Sequence, residues 1–151
     1  MHSVTAPSYK CTQFGTLTVS TLVAAIGFLI FLEARTSWKM VTAFTICILI
    51  VCLLLFYSLT VEIRNGRLSV RFGIGLFRKS FSLSDIENAF PVRNRWYYGW
   101  GIHLSPHGWL FNVSGLEAVE IVLTTGKHYR IGTPEPNKLV QAINGIKHQS
   151  A

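Results

Sequence analysis

Charge is scarce in this chain. Only 14% of its residues are Asp, Glu, Lys or Arg, against roughly 25% in an ordinary soluble domain. Acidic residues are the scarcer kind, seven against fourteen basic ones, which leaves a formal charge of +7. With half the residues hydrophobic and a mean hydropathy of +0.38, a disordered chain is excluded and a simple soluble globule does not fit. A length of 151 residues excludes a large multidomain enzyme. Cysteine is rare as well. Cys11, Cys47 and Cys52 have the spacing of neither a disulfide framework nor a zinc site.

The few charges avoid two stretches, residues 14–32 and 40–59, of 19 and 20 residues. At 1.5 Å per helical residue each spans about 28–30 Å, the thickness of a bilayer's hydrocarbon core. A buried helix of a soluble domain would carry a polar stripe, and neither stretch has one. The reading is therefore two membrane helices. A cleaved leader fits less well: its apolar run would be about 7–15 residues long, with an A-x-A site behind it. No such site follows Leu32, and only Lys10 precedes the run.

The short link at 33–39 makes the two helices a tight antiparallel hairpin. Ser37 suits the N-cap of the second helix, and Trp38 and Tyr57 suit the two interfaces. Ser20 and Ala24 form one small-xxx-small pair. No ionisable side chain lies at membrane depth, which argues against an ion channel or transporter. Beyond Leu59 come Arg64, Arg67, Arg71, Arg78 and Lys79, whereas the link offers only Arg35 and Lys39. The positive-inside rule then puts both termini in the cytoplasm of a cell with an inner membrane.

From residue 60 the pattern switches to period two. Val61 and Ile63 alternate with Thr60, Glu62 and Arg64; Asn65-Gly66 is a strong hairpin turn signal; Leu68, Val70 and Phe72 alternate with Arg67, Ser69 and Arg71. The turn pairs Ile63 with Leu68 and sets Arg64 opposite Arg67. That like-charge pair reads either as an anion site or as a solvated face partly neutralised by Glu62. Further strands are expected at 78–83, at 89–92 with Pro91 on an edge, and at 96–104, 109–113, 119–123 and 128–131. A final amphipathic helix has Thr133 as N-cap, Pro134 at its first position, and Leu139, Val140, Ile143 and Ile146 on one face. About seven strands and one helix read as a meander closing into a small barrel that the helix caps.

The fold class is therefore an α+β membrane protein: a transmembrane helical hairpin followed by a seven-stranded β-barrel or sandwich with a C-terminal capping helix. Residues 1–13 form a short N-terminal arm, 14–59 the hairpin and 60–151 the cytoplasmic domain.

This arrangement resembles the bacterial pleckstrin-homology-like proteins, in particular membrane-anchored members with two N-terminal transmembrane helices. The resemblance rests on Tyr98-Gly99-Trp100-Gly101-Ile102, on Gly108-Trp109-Leu110-Phe111-Asn112-Val113-Ser114-Gly115, and on Arg130-Ile131-Gly132-Thr133 with Glu135-Pro136. It covers roughly residues 60–146 and implies a fold more than an activity. Eukaryotic relatives that bind lipid hold inositol phosphates around the first strand-to-strand loop. Here Asn65-Gly66 is too short to cradle such a headgroup.

Little in the sequence points to catalysis. His103 and His107 stand across a strand end and a turn rather than on one helix face. Glu117 and Glu120 point to opposite faces of a strand. Gly73-Ile74-Gly75 lacks the lysine and helix of a phosphate loop, and Ser114-Gly115 is no nucleophile elbow. The Asn112-Val113-Ser114 sequon reads as a chance match on the cytoplasmic side. No cofactor, metal or nucleic acid is expected. The densest feature is the aromatic run Trp96, Tyr97, Tyr98, Trp100, Trp109 and Phe111, with Arg93 and Arg95 just before it. It reads either as a core, at least half of the rings filling the barrel, or as a surface.

The functional expectation is a non-catalytic binding or scaffold module. Its candidate anionic-surface contacts are Arg64, Arg67, Arg78, Lys79, Arg93 and Arg95. Trp96, Tyr98, Trp100 and Trp109 are the candidate face for a protein partner or a second copy. The alternative is an accessory subunit of a membrane enzyme or transporter that uses the hairpin as its interface.

Overall fold

A computed structural model describes residues 9–33, 35 and 39–149. The expectations for Ser37 and Trp38 lie outside the described residues. The chain opens on strand β1 (Tyr9–Phe14), then helices α1 (Thr16–Glu33) and α2 (Lys39–Phe56). Strands β2 (Ser58–Arg64), β3 (Arg67–Phe72) and β4 (Arg78–Ser82) follow, then β5 (Ile86–Arg93), β6 (Gly101–Ser105), β7 (Gly108–Asn112), β8 (Glu117–Leu123) and β9 (His128–Gly132). Helix α3 (Pro136–Gln149) closes the order.

Both α1 and α2 are long and apolar enough to cross a membrane, and none of their described residues is buried within the chain. Their 18 residues give each about 27 Å of length at 1.5 Å per residue. The ends expected at 14 and 59 move inward because strand pairing claims those residues. Phe14 pairs with Ser58 and Gln13 with Leu59.

Residues 9–13 of the expected arm are thus strand, and the hairpin is an insertion between two paired strands of one sheet. Tyr9–Phe14 alternates half-buried and exposed side chains against β2. Thr12 Oγ1 and Thr60 Oγ1 lie 3.0 Å apart across the pair, 48 residues distant in sequence.

Neither sheet closes into the expected barrel. One has four strands in the order β1-β2-β3-β4, and the other five in the order β5-β8-β9-β7-β6. The second is no meander, because β7 and β9 run parallel. Pro91 does lie on an edge strand, where its missing N–H costs no ladder bond. The Asn65-Gly66 turn has φ of 51° and 69° and sets Ile63 against Leu68 and Arg64 against Arg67, as the spacing requires.

The sheets pack face to face. Val61, Ile63, Leu68, Val70 and Phe72 from the first meet Phe111, Val119, Ile121, Tyr129 and Ile131 from the second in one core cluster. Leu139, Ile143 and Ile146 bring α3 into it, packed along β5 and β8. The helix starts two residues later than expected. Thr133 Oγ1 accepts from the Glu135 N–H at 3.2 Å in the approach turn, and Pro136 takes the first helical position.

The hairpin is fastened to the sheets by backbone. Gly15 N–H donates to Tyr57 O at 2.9 Å, carrying the β1–β2 ladder one step toward the helices. On the other side Gly73 N–H donates to Ser58 O at 2.8 Å, and Ile74 N–H reaches Leu54 O at 3.4 Å. Phe56, at the end of α2, stacks edge-on with Phe72 at 5.8 Å between centroids. Phe72 meets Phe111 at 6.2 Å, so rings run from the hairpin into the core.

Gly73 makes this fit possible. Its φ is +44°, and a Cβ there would lie 2.3 Å from Leu54 O. We expect Gly73→Ala to cost about 2–4 kcal/mol, the sum of backbone strain and a clash that only a shift of the hairpin relieves. Gly126→Ala shares the strain, with φ +75°, but nothing lies within 4 Å of its Cβ; it should cost about 1 kcal/mol. Thermal unfolding in micelles measures both, and equal losses would show that the close approach contributes nothing.

Candidate functional site

The outer face of the first sheet gathers the basic residues. With Val61, Ile63, Leu68 and Val70 turned inward, strand alternation puts Thr60, Glu62 and Arg64 of β2 outward, with Arg67, Ser69 and Arg71 of β3 and Arg78 and Ser80 of β4. Lys10 joins them opposite Glu62. Five basic residues and one carboxylate therefore share this face.

They are not equally close to the hairpin. Arg64 and Arg67 sit at the turn, six residues beyond Ser58, or about 20 Å along the strand. Arg71 and Arg78 oppose each other at the other end, where β3 and β4 approach α2. Lys79 pairs with Val70 and so points to the opposite side from Arg78. Among the described residues no ion pair joins Glu62 to Arg67.

Arg71 and Arg78 share a concavity of about 240 Å³ with Thr60, Glu62, Ser69 and Ser80. The Ser69 and Ser80 hydroxyls lie 3.1 Å apart across it. Beside it the loop from Gly73 to Phe77 carries exposed apolar side chains. Ile74 is 65% and Leu76 71% exposed, and Phe77 stacks on Phe56 at 6.0 Å. From the sequence this loop is weighed only as a phosphate loop, and Arg71 is placed near the membrane surface but not among the six named contacts. The signal was present: an apolar run inside a strand-to-strand connection is unusual, and the register from Asn65-Gly66 already turns Arg71 outward.

The aromatic run divides. Trp96–Tyr98 is a short 3-10 turn rather than a strand, and Gly99 and Gly101 follow at φ of 71° and 115°, so the expected alternation over 96–104 fails. Of the six rings Phe111 is buried and Tyr98 half-buried, while Trp96 (76%), Tyr97, Trp100 and Trp109 are exposed. The reading of at least half these rings as core is overturned. Trp96, Tyr97, Tyr98 and His107 form a row of edge-on contacts with centroids 6.0, 5.0 and 6.3 Å apart.

Trp100 stands elsewhere. It lines a cavity of about 350 Å³ with Leu22, Cys52 and Phe56 of the hairpin and with Ile102. Trp109 faces Leu104 on the β6–β7 hairpin, both exposed. Arg95 donates to the Tyr97 hydroxyl at 2.8 Å and lies over its ring. Arg93 makes an exposed 3.7 Å pair with Glu117, a contact worth little in water.

The link from Asn94 to Trp100 crosses from one edge strand of the second sheet to the other, since β5 and β6 are the two edges. Its first residue, Asn94, meets a charged group that sequence reasoning missed. Glu120, buried on β8, accepts from Arg130 Nε at 2.6 Å and lies 2.9 Å from His128 Nδ1. Arg130 also donates to Asn94 Oδ1 at 3.3 Å. Asn112 is buried, its side chain bonded to Gly115 O and the Ser114 N–H, which removes the sequon as an acceptor. Among the described residues no group of three or more His, Cys, Asp or Glu is placed to hold a metal ion.

Burial alone would push the Glu120 carboxyl up, but the hydrogen bonds from His128 and Arg130 outweigh it and hold it below its usual value. A carboxyl with a depressed folded pKa stabilises fully above its unfolded value, about 4.3, and stops doing so as pH falls through the folded value. Glu120→Gln should therefore cost about 3 kcal/mol at pH 7, where it leaves Arg130 buried without its counter-charge. The gap between the two proteins should narrow steadily below about pH 4. Thermal unfolding in micelles from pH 7 to pH 3 reads this directly, and a gap independent of pH would overturn the assignment.

Comparison with protein-family models, with curated proteins and with solved structures finds no match for this chain. Its own geometry carries the functional reading.

Proposed function

We propose that the chain is a non-catalytic, membrane-anchored binding module. The hairpin spans a bilayer, both termini lie in the cytoplasm, and the β-domain is held against the anionic leaflet. From there the row Trp96, Tyr97 and Tyr98 faces outward as a surface for a protein partner. The observation that carries this reading is the backbone fastening at Gly15, Gly73 and Ile74, which leaves no linker for the domain to swing on.

Three further features support it. Basic residues dominate the outer face of the first sheet, as docking on anionic lipid requires. The exposed rings next to Arg95 are of the residue types enriched at protein interfaces. Two packed sheets with a C-terminal helix against them fit a pleckstrin-homology-like ancestry, although the parallel β7–β9 pair departs from a simple antiparallel meander.

Hydrogen exchange on the full chain in nanodiscs tests the docking. In phosphatidylcholine discs containing phosphatidylglycerol, amides over residues 71–79 should exchange several-fold more slowly than in pure phosphatidylcholine. The difference should shrink as salt shortens the Debye length from about 10 Å at 0.1 M toward 3 Å at 1 M. Identical exchange in both discs at low salt would sink lipid docking and leave the domain a free protein-binding surface.

A further inference from the structure

The connection between β3 and β4 exposes apolar side chains and also touches the hairpin. Ile74 N–H reaches Leu54 O, two residues before the end of α2. The loop backbone is therefore level with the last turn of a helix whose apolar length matches the hydrocarbon core. Ile74 and Leu76 are nonetheless largely exposed, at 65% and 71%. In water that exposure is unfavourable; at the edge of a bilayer it is burial. Trp100 marks a similar depth elsewhere on the hairpin, sharing a cavity with Cys52, four residues or about 6 Å before the end of α2.

Directly behind the loop stand Arg71 and Arg78, opposite one another in register. Like charges placed so are destabilising unless something anionic lies between them. Among the described residues neither has a carboxylate within salt-bridge distance, and the acid lining the concavity, Glu62, sits diagonal to Arg71 and opposite Lys10. The Arg71 stem folds back over the loop, its Cδ 2.9 Å from where a Cβ on Gly75 would stand. The headgroup layer extends about 5–7 Å beyond the hydrocarbon core. Arginine stems routinely lie along apolar surface with the guanidinium held at that level.

Resting on the membrane-anchored reading above, we propose that this corner is a binding site for one anionic phospholipid of the near leaflet. Ile74 and Leu76 enter the acyl boundary. Arg71 and Arg78 hold the lipid phosphate between them, with the Ser69 and Ser80 hydroxyls as further donors. The concavity of about 240 Å³ suits a phosphate and a small alcohol. A guanidinium fork matches phosphate oxygens two at a time.

The test uses the full chain in two arms. In the first, native mass spectrometry follows lipid retained from micelles holding equal phosphatidylglycerol and phosphatidylcholine. One phosphatidylglycerol per chain should be kept preferentially. R71Q/R78Q should lower that occupancy at least tenfold and R64Q/R67Q should leave it unchanged. Because R71Q/R78Q removes a repulsion, its melting temperature should not fall, which separates loss of binding from loss of fold. Occupancy unaffected by R71Q/R78Q overturns the site. Displacement of the lipid by 10 mM inorganic phosphate would make it a site for a free anion and overturns the lipid assignment.

In the second arm Cys11, Cys47 and Cys52, the native free cysteines, are replaced by alanine and a nitroxide is placed at Leu76→Cys or Leu104→Cys. In bilayers the label at 76 should be shielded from aqueous relaxation agents. The label at 104, an exposed apolar residue on the β6–β7 hairpin, should stay accessible. A shielded label with no selective lipid retention removes the phosphate grip and leaves docking intact. A water-exposed label at 76 removes both.

Discussion

Everything else in this structure depends on a short ladder of backbone hydrogen bonds at the root of the hairpin. Strands β1 and β2 are antiparallel neighbours, and where most such pairs would turn in a few residues this one extends into two apolar helices. The bond from Gly15 to Tyr57 continues the ladder toward the helices, and the bonds from Gly73 and Ile74 fasten the β3–β4 loop to the same point. Main-chain bonds of this kind fix orientation in a way that side-chain packing alone does not, because each constrains both distance and direction. The hairpin and the domain therefore behave as one body, and whatever depth the helices take in a bilayer sets the depth of every residue around them.

That fixed depth gives meaning to a charge distribution that is otherwise unfavourable. Inside, the two sheets share an apolar core, and the buried ion pair of Glu120 with Arg130 is bonded in turn by His128 and Asn94. Outside, arginine faces arginine at both ends of β3. The contrast lies in surroundings. Glu120 and Arg130 are buried, where unpaired charge would be costly, whereas the outward arginines are exposed.

Much of this architecture was legible in the sequence, for identifiable reasons. The apolar runs announced the helices because nothing else in a chain of this size has that length without charge. Asn65-Gly66 announced its hairpin and register because few turns accept two residues at positive φ. Leu139, Ile143 and Ile146 announced the buried face of α3 by period alone. Other features stayed hidden. Residues 9–13 read as part of an arm, and Phe14 as the start of a helix, because their partner strand lies beyond two helices and local pattern cannot report a pairing 48 residues away. Trp96–Tyr98 looked like a strand because aromatic residues favour strands, but the glycines on either side of Trp100 sit at positive φ and break it. The parallel β7–β9 pair is a matter of topology, which alternation does not encode. Of the candidate site, the basic face was visible and its geography was not: which arginines lie beside the hairpin follows from the β3–β4 pairing and the close approach at Gly73.

The insertion of the hairpin between β1 and β2 also orders events during synthesis. β1 leaves the ribosome first, yet has nothing to pair with until both helices and β2 have followed, an interval of a few seconds at roughly 5–20 residues per second. On the membrane-spanning reading, a hairpin that crosses and returns brings β2 back to the side where β1 waits. If the second helix fails to return, Thr60 has no Thr12 beside it and β2 is left as an unprotected sheet edge, the kind of surface that aggregates. On that reading, completion of the first sheet depends on correct insertion, through six residues that look, on their own, like a tail.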